Sequence, residues 1–143
     1  LNEERFNNLK NFEIFKDDVL ITCAGTLGKV AIVPDIIERG IINSVLMRFR
    51  VRDIKEVLPY YIFILLKSDY IQTELVEYSY GTNQKNMRPV DEIRELLIPI
   101  PPIEIQEEII NEKNKLDSNV DELKKQILKL KNDEQIIVND LWE

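Results

Sequence analysis

A glycine-rich turn, Gly25-Thr26-Leu27-Gly28-Lys29, holds the residues with the clearest chemical potential in this 143-residue chain. Glycines followed by a lysine occur in loops that bind nucleotide phosphates, but an NTP-binding P-loop has four residues between its glycines and a hydroxyl residue after its lysine. Here two residues separate the glycines and Val30 follows Lys29, so we expect no NTP hydrolysis. The turn can still present backbone N–H groups, the Thr26 hydroxyl and the Lys29 ammonium group to a nucleic-acid phosphate.

A second candidate is the polar run Thr82-Asn83-Gln84-Lys85-Asn86. The side-chain amides of Asn83, Gln84 and Asn86 have the paired donor and acceptor groups that match adenine in the major groove, and Lys85 can bond guanine or a phosphate. Five consecutive polar residues are also typical of an ordinary exposed loop, and composition alone favours that plainer interpretation.

Residue types that support catalysis or metal binding are scarce. The chain has no histidine, which excludes a histidine-dependent triad and a histidine-ligated zinc site. Its single cysteine, Cys23, excludes an internal disulfide and is compatible with a reducing compartment. The carboxylates show no diagnostic catalytic spacing. No cofactor motif is recognisable either, so we predict no metal, no cofactor and no methyl transfer by this chain alone.

No apolar run reaches the roughly 18 residues that a membrane span needs, and the first residues lack the basic and apolar regions of a signal peptide. These patterns predict a cytoplasmic location without membrane contact.

The charge of the chain is unevenly distributed. The net charge of −7 argues against a nucleic-acid partner, but residues 103–143 contribute eleven acids against six bases. Two basic segments stand out, residues 25–52 with five bases against two acids, and residues 81–88 with Lys85, Arg88 and no acid. They are the places where a nucleic acid would bind.

Within the two basic segments, Lys29, Arg48 and Lys85 are the main candidates for phosphate or base contact. Arg48 lies on the basic side of a predicted strand, where it could instead pair with acids such as Glu74 or Glu77. Ordinary surface charge is the alternative explanation of both segments.

Apolar and turn-forming residues predict short, interspersed elements. The predicted strands cover residues 18–23, 29–34, 41–51 and 96–100. The predicted helices start at Pro59, run over residues 70–78 after Ser68 and Asp69, and include a short turn at residues 87–92. This order predicts an α+β domain with a mixed sheet over residues 1–101.

After Pro101-Pro102 the chain changes character, because residues 103–143 contain neither glycine nor proline. Apolar residues there recur at alternating steps of four and three, which predicts a helix that pairs with another helix. The residues of this heptad seam are Leu116, Val120, Leu123, Ile127 and Leu130. Residues 102–143 are therefore predicted to form a coiled-coil-type arm.

Several short motifs occur in an order that resembles one known family. They are Lys16–Thr22, Ala24–Val33, Pro59-Tyr60-Tyr61, Leu65–Ser68, Gly81–Met87, Ile98–Pro102 and Gln106–Ile110. Together they resemble the target recognition domain and spacer helix of the specificity (S) subunit of type I restriction-modification systems. The resemblance covers about residues 12–112.

The resemblance implies a non-catalytic module that reads one half of a bipartite target in double-stranded DNA. It also implies a complex with methyltransferase (M) and restriction (R) subunits docked through the helix. The family's S subunit has two recognition domains and two spacer helices, whereas this chain has one set. The family's domain also begins well before the position of Leu1, so its first strands are expected to be missing.

For this single-set chain, the resemblance and the heptad seam predict that the helix pairs with a second copy or with the second spacer helix of a longer subunit. Two alternatives stay open at this stage. The chain could be a coiled-coil assembly module that does not bind DNA, or a recognition domain cut from a fused restriction–methylation enzyme.

Overall fold

The structure, a computed structural model, describes residues 3–78 and 85–140. They separate into two compact units, one within Leu1–Glu107 and the other within Glu108–Glu143. The strands are β1 (Val19–Thr22), β2 (Val30–Ile32), β3 (Leu46–Phe49), β4 (Val76–Tyr78) and β5 (Lys85–Met87). The α-helices are α1 (Glu3–Asn8), α2 (Pro59–Lys67), α3 (Asp69–Leu75), α4 (Val90–Arg94) and α5 (Ile103–Asp140).

The first unit is built on a three-stranded antiparallel sheet with β1 in the centre, between β2 and β3. Val19 of β1 pairs with Ile32 of β2 and with Phe49 of β3. Val19 and Ile21 alternate with partly exposed residues and are fully buried, as expected for a strand with one face on the core. The three predicted strands over residues 18–51 are confirmed, although β3 is shorter than its apolar pattern suggested.

Helix α2 packs against β1 and β2 of this sheet, and α3 packs against α2. Pro59 occupies the first turn of α2, where its missing N–H is not needed. The Ser68 hydroxyl caps α3 by accepting a hydrogen bond from the Ile71 N–H at 3.3 Å. Both predicted helix starts are confirmed. The side chains that these helices bury are Tyr61, Ile62, Leu66, Ile71 and Leu75.

The helix predicted over residues 70–78 and the loop predicted after it differ from the structure. Helix α3 ends at Leu75 instead of continuing to residue 78, because Val76–Tyr78 pairs as β4 with Lys85–Met87 in an antiparallel ladder. Branched and aromatic residues fit a pleated surface better than a helix interior, and this pairing decides between the two. The predicted exposed loop is correspondingly shorter at its C-terminal end.

The strand predicted over residues 96–100 is wrong. Residues 96–100 belong to no described helix or strand. Pro99 has no N–H with which to join a ladder, and its carbonyl accepts a hydrogen bond from the Tyr61 hydroxyl at 2.8 Å. Leu97, one of the apolar residues on which the strand prediction rested, is 92% exposed and is not part of the core.

Helix α5 confirms the prediction of a long C-terminal helix, and the architecture confirms the α+β class. The described sheets are antiparallel, however, and not mixed as predicted. All five residues of the heptad seam are exposed, with exposed fractions between 45% for Val120 and 67% for Leu130. None of the described helices is both long enough and apolar enough to cross a membrane.

Candidate nucleic-acid interface

The Gly25–Lys29 turn joins β1 to β2 and is organised by one residue, Thr22. The Thr22 N–H and C=O bond to the Lys29 carbonyl and the Gly28 N–H at 3.0 and 2.9 Å. Its hydroxyl donates to the Thr26 carbonyl and accepts from the Lys29 N–H at 3.0 Å. Sequence reasoning missed Thr22. A threonine just before a glycine turn is nevertheless a recognisable pattern, since its hydroxyl often forms hydrogen bonds with nearby backbone groups.

Both glycines of the turn have left-handed backbone angles, with φ of 70° at Gly25 and 77° at Gly28. Their surroundings differ. A Cβ at Gly25 would meet nothing within 4 Å, whereas one at Gly28 would lie 2.1 Å from Gln72 Oε1. The Gln72 amide is itself tied to the Leu66 carbonyl at 2.6 Å. The turn therefore packs closely on helix α3 through Gly28, which gives it a fixed position.

Lys29 and Thr26 are exposed on this fixed turn. Lys29 forms no ion pair with any described residue, so its ammonium group is available for an external anion. A mobile lysine would lose more conformational entropy on binding than one whose backbone is held on both sides. The geometry thus suits Lys29 to phosphate contact.

The arginines of the first basic segment have structural partners instead. Arg48 donates to the backbone carbonyls of Glu13 and, at 3.2 Å, of Asn11. Arg39 pairs with the Glu13 carboxylate at 2.9 Å and lies 4.0 Å over the ring of Phe6. The arginines that give residues 25–52 their high positive charge thus serve mainly to hold residues 6–18 against the sheet.

Arg50 completes this fastening through Asp18. Two hydrogen bonds of 2.6 Å join the guanidinium group to the carboxylate, which is 1% exposed, and the Phe15 N–H donates to the same carboxylate at 2.8 Å. Burial alone would raise the pKa of Asp18, but the hydrogen bonds from Arg50 and Phe15 and the charges of Arg50 and Arg48 outweigh it and hold the pKa below its ordinary value.

The polar run 82–86 is described only at its end. Asn83 and Gln84 lie outside the described residues, and Lys85 is described only as a backbone position of β5. In the ladder, Lys85 pairs with Tyr78 and Asn86 with Glu77. Asn86 is partly buried. Predictions of DNA contact for Asn83, Gln84, Lys85 and Asn86 therefore remain predictions.

A cleft of about 490 Å³ lies between β3 and the segment that follows β5. Polar and apolar residues share its lining, which includes Arg48 and Arg88 and, among the described residues, no acid. The Nε atom of Arg88 is buried and has no hydrogen-bond partner among the described residues. Sequence reasoning placed Arg88 in a basic segment but did not single it out.

Comparison with known proteins identifies the same family as the order of the sequence motifs. Residues 1–132 match the model of the type I restriction modification DNA specificity domain. The chain belongs to this family. It is also similar to the Type I restriction enzyme EcoBI specificity subunit from Escherichia coli, with 30% identity over 119 residues. The match covers 82% of this chain and 24% of that protein, so the chain spans about a quarter of the relative's length.

Membership of a specificity-domain family confirms the prediction of a non-catalytic chain. Within residues 3–78 and 85–140, no group of three or more cysteine and acidic side chains could hold a metal ion.

The start of helix α5 in this specificity domain is held by one buried amide, Gln106, which is 0% exposed. Its oxygen accepts from the Leu58 N–H at 2.8 Å, and its nitrogen donates to the carbonyls of Glu56 and Pro101, each at 2.8 Å. Three backbone groups that would otherwise be unpaired are thus satisfied by one side chain. The sequence motif contained Gln106, but nothing in its spacing indicated burial.

Proposed function

We propose that this chain is a DNA target recognition module of a type I specificity subunit and that it reads one half of a bipartite site. The family match over residues 1–132 carries this proposal. The structure supports it with an exposed cation, Lys29, on a turn that Thr22 and Gln72 hold in place. Thr26, Asn83, Gln84, Lys85 and Asn86 are the proposed further polar contacts, and Arg48 is proposed to contribute charge beside its structural bonds.

The second half of such a site needs a second recognition module at a fixed distance. The described part of α5 has 38 residues, which at about 1.5 Å per residue is a helix of roughly 57 Å. Its heptad seam is exposed over its whole length. We propose that the seam pairs with a second copy of this chain or with an equivalent spacer helix, because a paired helix holds two modules apart more rigidly than a flexible linker.

Charges on α5 favour an antiparallel pair. In a parallel homodimer, Lys113 and Glu134 would each face their own copies at the seam, and Glu112 would approach Asp117 of the other helix. An antiparallel pair that sets Val120 against Leu123 removes these four like-charge contacts and introduces two, between Glu112 of each helix and Asp133 of the other. In that register Asp117 of each helix faces Lys124 of the other, which gives two attractive pairs.

Docking of methyltransferase and restriction subunits is proposed for the remaining surface of α5. Leu128 and Ile136 lie outside the heptad seam and are 61% and 58% exposed. Apolar residues at these positions would remain uncovered in a helix pair, so they offer a contact area to a further protein. The acidic excess of residues 103–143 suits a protein partner better than DNA. Such a complex would act on DNA in the cytoplasm.

Binding of the chain to a mixed-sequence DNA duplex, titrated between about 50 and 200 mM salt, tests the proposal. Phosphate contacts make the logarithm of affinity fall linearly with the logarithm of salt, by about 0.9 per contact. The double variant Lys29→Ala, Lys85→Ala should bind more weakly and show a flatter slope. Lys16→Ala removes a charge that already pairs with Asp35 and serves as the control.

Three outcomes separate the candidate functions. Salt-dependent binding that the double variant weakens more than the control supports DNA recognition through these lysines. Binding that the double variant leaves unchanged moves the contact elsewhere on the module. Self-association without any DNA binding at low salt would favour the coiled-coil assembly module.

A further inference from the structure

Arg88 occupies a rigid position at the edge of the cleft beside β3. It directly follows β5, and its N–H donates to the carbonyl of Leu75 at 2.9 Å. Leu75 is 1% exposed and ends helix α3. Pro89, with φ of −52°, then leads into α4. The backbone on both sides of Arg88 is therefore fixed by the core, and only the side chain is free to adjust.

The side chain of Arg88 is incompletely satisfied. Its Nε is buried without a hydrogen-bond partner among the described residues, and this is costly because such a group has lost its water without gaining an acceptor. Arg48, the other cation of the cleft, is in a different state, since its guanidinium group already donates to the carbonyls of Glu13 and Asn11. The cleft thus contains one arginine whose guanidinium group donates to two carbonyls, and one whose Nε has no acceptor among the described residues.

The charge of the cleft selects an anion. Its described lining includes two arginines and no aspartate or glutamate, while the neutral polar residues Asn11 and Ser44 add groups that can hydrogen-bond. A guanidinium group binds phosphate side-on, with Nε and one terminal nitrogen donating to two oxygens. A volume of about 490 Å³ is enough for a phosphate together with its sugar.

We propose that this cleft is a binding site for a DNA backbone phosphate and that Arg88 is the residue that holds it. A small rotation of the guanidinium group turns Nε–H and a terminal N–H toward the phosphate oxygens and relieves the unpaired donor. The site rests on the proposed function, which it extends with a contact outside the Gly25–Lys29 turn. Because phosphate contacts fix the position of a protein on DNA, Arg88 would set the register in which other residues meet the bases.

The test measures affinity of the wild-type chain and three variants for a 20-base-pair duplex of mixed sequence, over a series of salt concentrations. Arg88→Gln should weaken binding roughly tenfold, because it removes a charged hydrogen bond, and lower the salt slope by about 0.9. Arg88→Lys keeps the charge but loses the two-point geometry, so it should keep most of the slope and still bind more weakly. Arg94→Gln removes an arginine that already pairs with Asp91 and should change neither quantity by as much.

The possible results distinguish failure of this phosphate site from failure of the proposed function. If the folded wild-type chain binds no DNA at low salt, the proposed function fails and the site fails with it. If the wild type binds DNA and Arg88→Gln and Arg88→Lys both match it, only the phosphate site is overturned. A poly-glutamate peptide that binds the wild type but not Arg88→Gln, with DNA affinity unchanged, also overturns it, since the cleft would then take an acidic peptide. Equal thermal unfolding of wild type and Arg88→Lys confirms that the comparison is between folded proteins.

Discussion

Arg50, just after β3, binds Asp18, just before β1, through two hydrogen bonds of 2.6 Å. The pair links the edge of the sheet to the turn that starts its central strand. The guanidinium group of Arg50 also lies 4.5 Å from the ring centre of Phe15 and donates to the Glu13 carbonyl at 3.1 Å. The segment before β1 is thereby fixed by charge and hydrogen bonds, in a region where few apolar side chains are buried.

Replacing Asp18 with Asn should destabilise the protein by about 2–3 kcal/mol. Removal of one partner from a buried pair costs roughly 3–5 kcal/mol, and the value here is lower because the side chain of Arg50 is 39% exposed. The variant should also lose a pH dependence. Because the pKa of Asp18 is depressed on folding, its contribution is present above the ordinary value of 3.8 and is lost as the pH falls through the lower folded pKa.

Urea unfolding of wild type and Asp18→Asn between about pH 2.5 and 7 measures both effects. The difference in unfolding free energy should be largest at neutral pH and shrink below about pH 4. Asp91→Asn is the matched control, because Asp91 also pairs with an arginine but is 92% exposed. A difference that stays constant with pH would contradict the depressed pKa of Asp18.

Gly28→Ala should destabilise the Gly25–Lys29 turn more than Gly25→Ala does. Both substitutions place a Cβ on a left-handed backbone, which costs about 1–2 kcal/mol. Only Gly28→Ala also forces Gln72 to give up its place against the turn. Thermal unfolding of the two variants measures the difference. Equal losses of stability would mean that Gln72 moves away freely and does not position the turn.

Local chemistry explains which elements could be predicted from the sequence. Three local patterns each predicted an observed element, because each depends on residues close together in the sequence. They are the apolar run at residues 18–23 for β1, the proline at position 59 for α2 and the heptad seam for α5. The end of α3 could not be predicted, because Val76 pairs with Met87 across eleven positions and no local pattern records that pairing. Residues 96–100 likewise make a contact that no local pattern records, the hydrogen bond from the Tyr61 hydroxyl to the Pro99 carbonyl.

In the candidate interface, too, local sequence patterns predicted some residues, whereas others depend on contacts between distant positions. Gly28 and Lys29 were identified from local pattern, and the structure gives them a fixed turn. Local charge was a poorer guide, since Arg48 and Arg50 bond to partners more than 30 positions away. Charge counts along the sequence cannot distinguish an arginine that faces solvent from one that fastens two segments together. The structure identified Arg88 and Gln106 through burial, which spacing does not encode.

Gln106→Glu should be strongly destabilising, because the carboxylate would face the carbonyls of Glu56 and Pro101 without a proton to donate. We expect a loss of about 3 kcal/mol or more, from two lost hydrogen bonds and a buried charge. Gln106→Ala should cost about 2–4 kcal/mol, since it leaves three backbone groups unpaired. Urea unfolding measures both. Gln135→Glu, on the exposed surface of α5, is the control and should leave stability nearly unchanged.

Leu123→Glu should convert a self-associating chain into a monomer. The substitution places a charge in the centre of the heptad seam, where it would be buried on pairing. Leu123 is 56% exposed in the single chain, so the monomer should fold as before. Sedimentation over a range of concentrations, with circular dichroism as the check on helicity, measures the change. Unaltered association of the variant would show that α5 pairs through a different face.

The direction of the helix pair can be tested by reversing one charge. In the antiparallel register with Val120 against Leu123, Asp117→Lys places a lysine opposite Lys124 at two symmetric positions and should weaken the dimer roughly tenfold. In a parallel pair, the same substitution would replace the repulsion between Glu112 and Asp117 with attraction and strengthen the dimer. The double variant Asp117→Lys, Lys124→Asp restores both antiparallel pairs and should recover most of the wild-type affinity. It also controls for loss of the contact between Asp117 and Lys113 within the helix. Sedimentation equilibrium of the three proteins decides between the two directions, and a dimer that Asp117→Lys tightens would overturn the antiparallel arrangement.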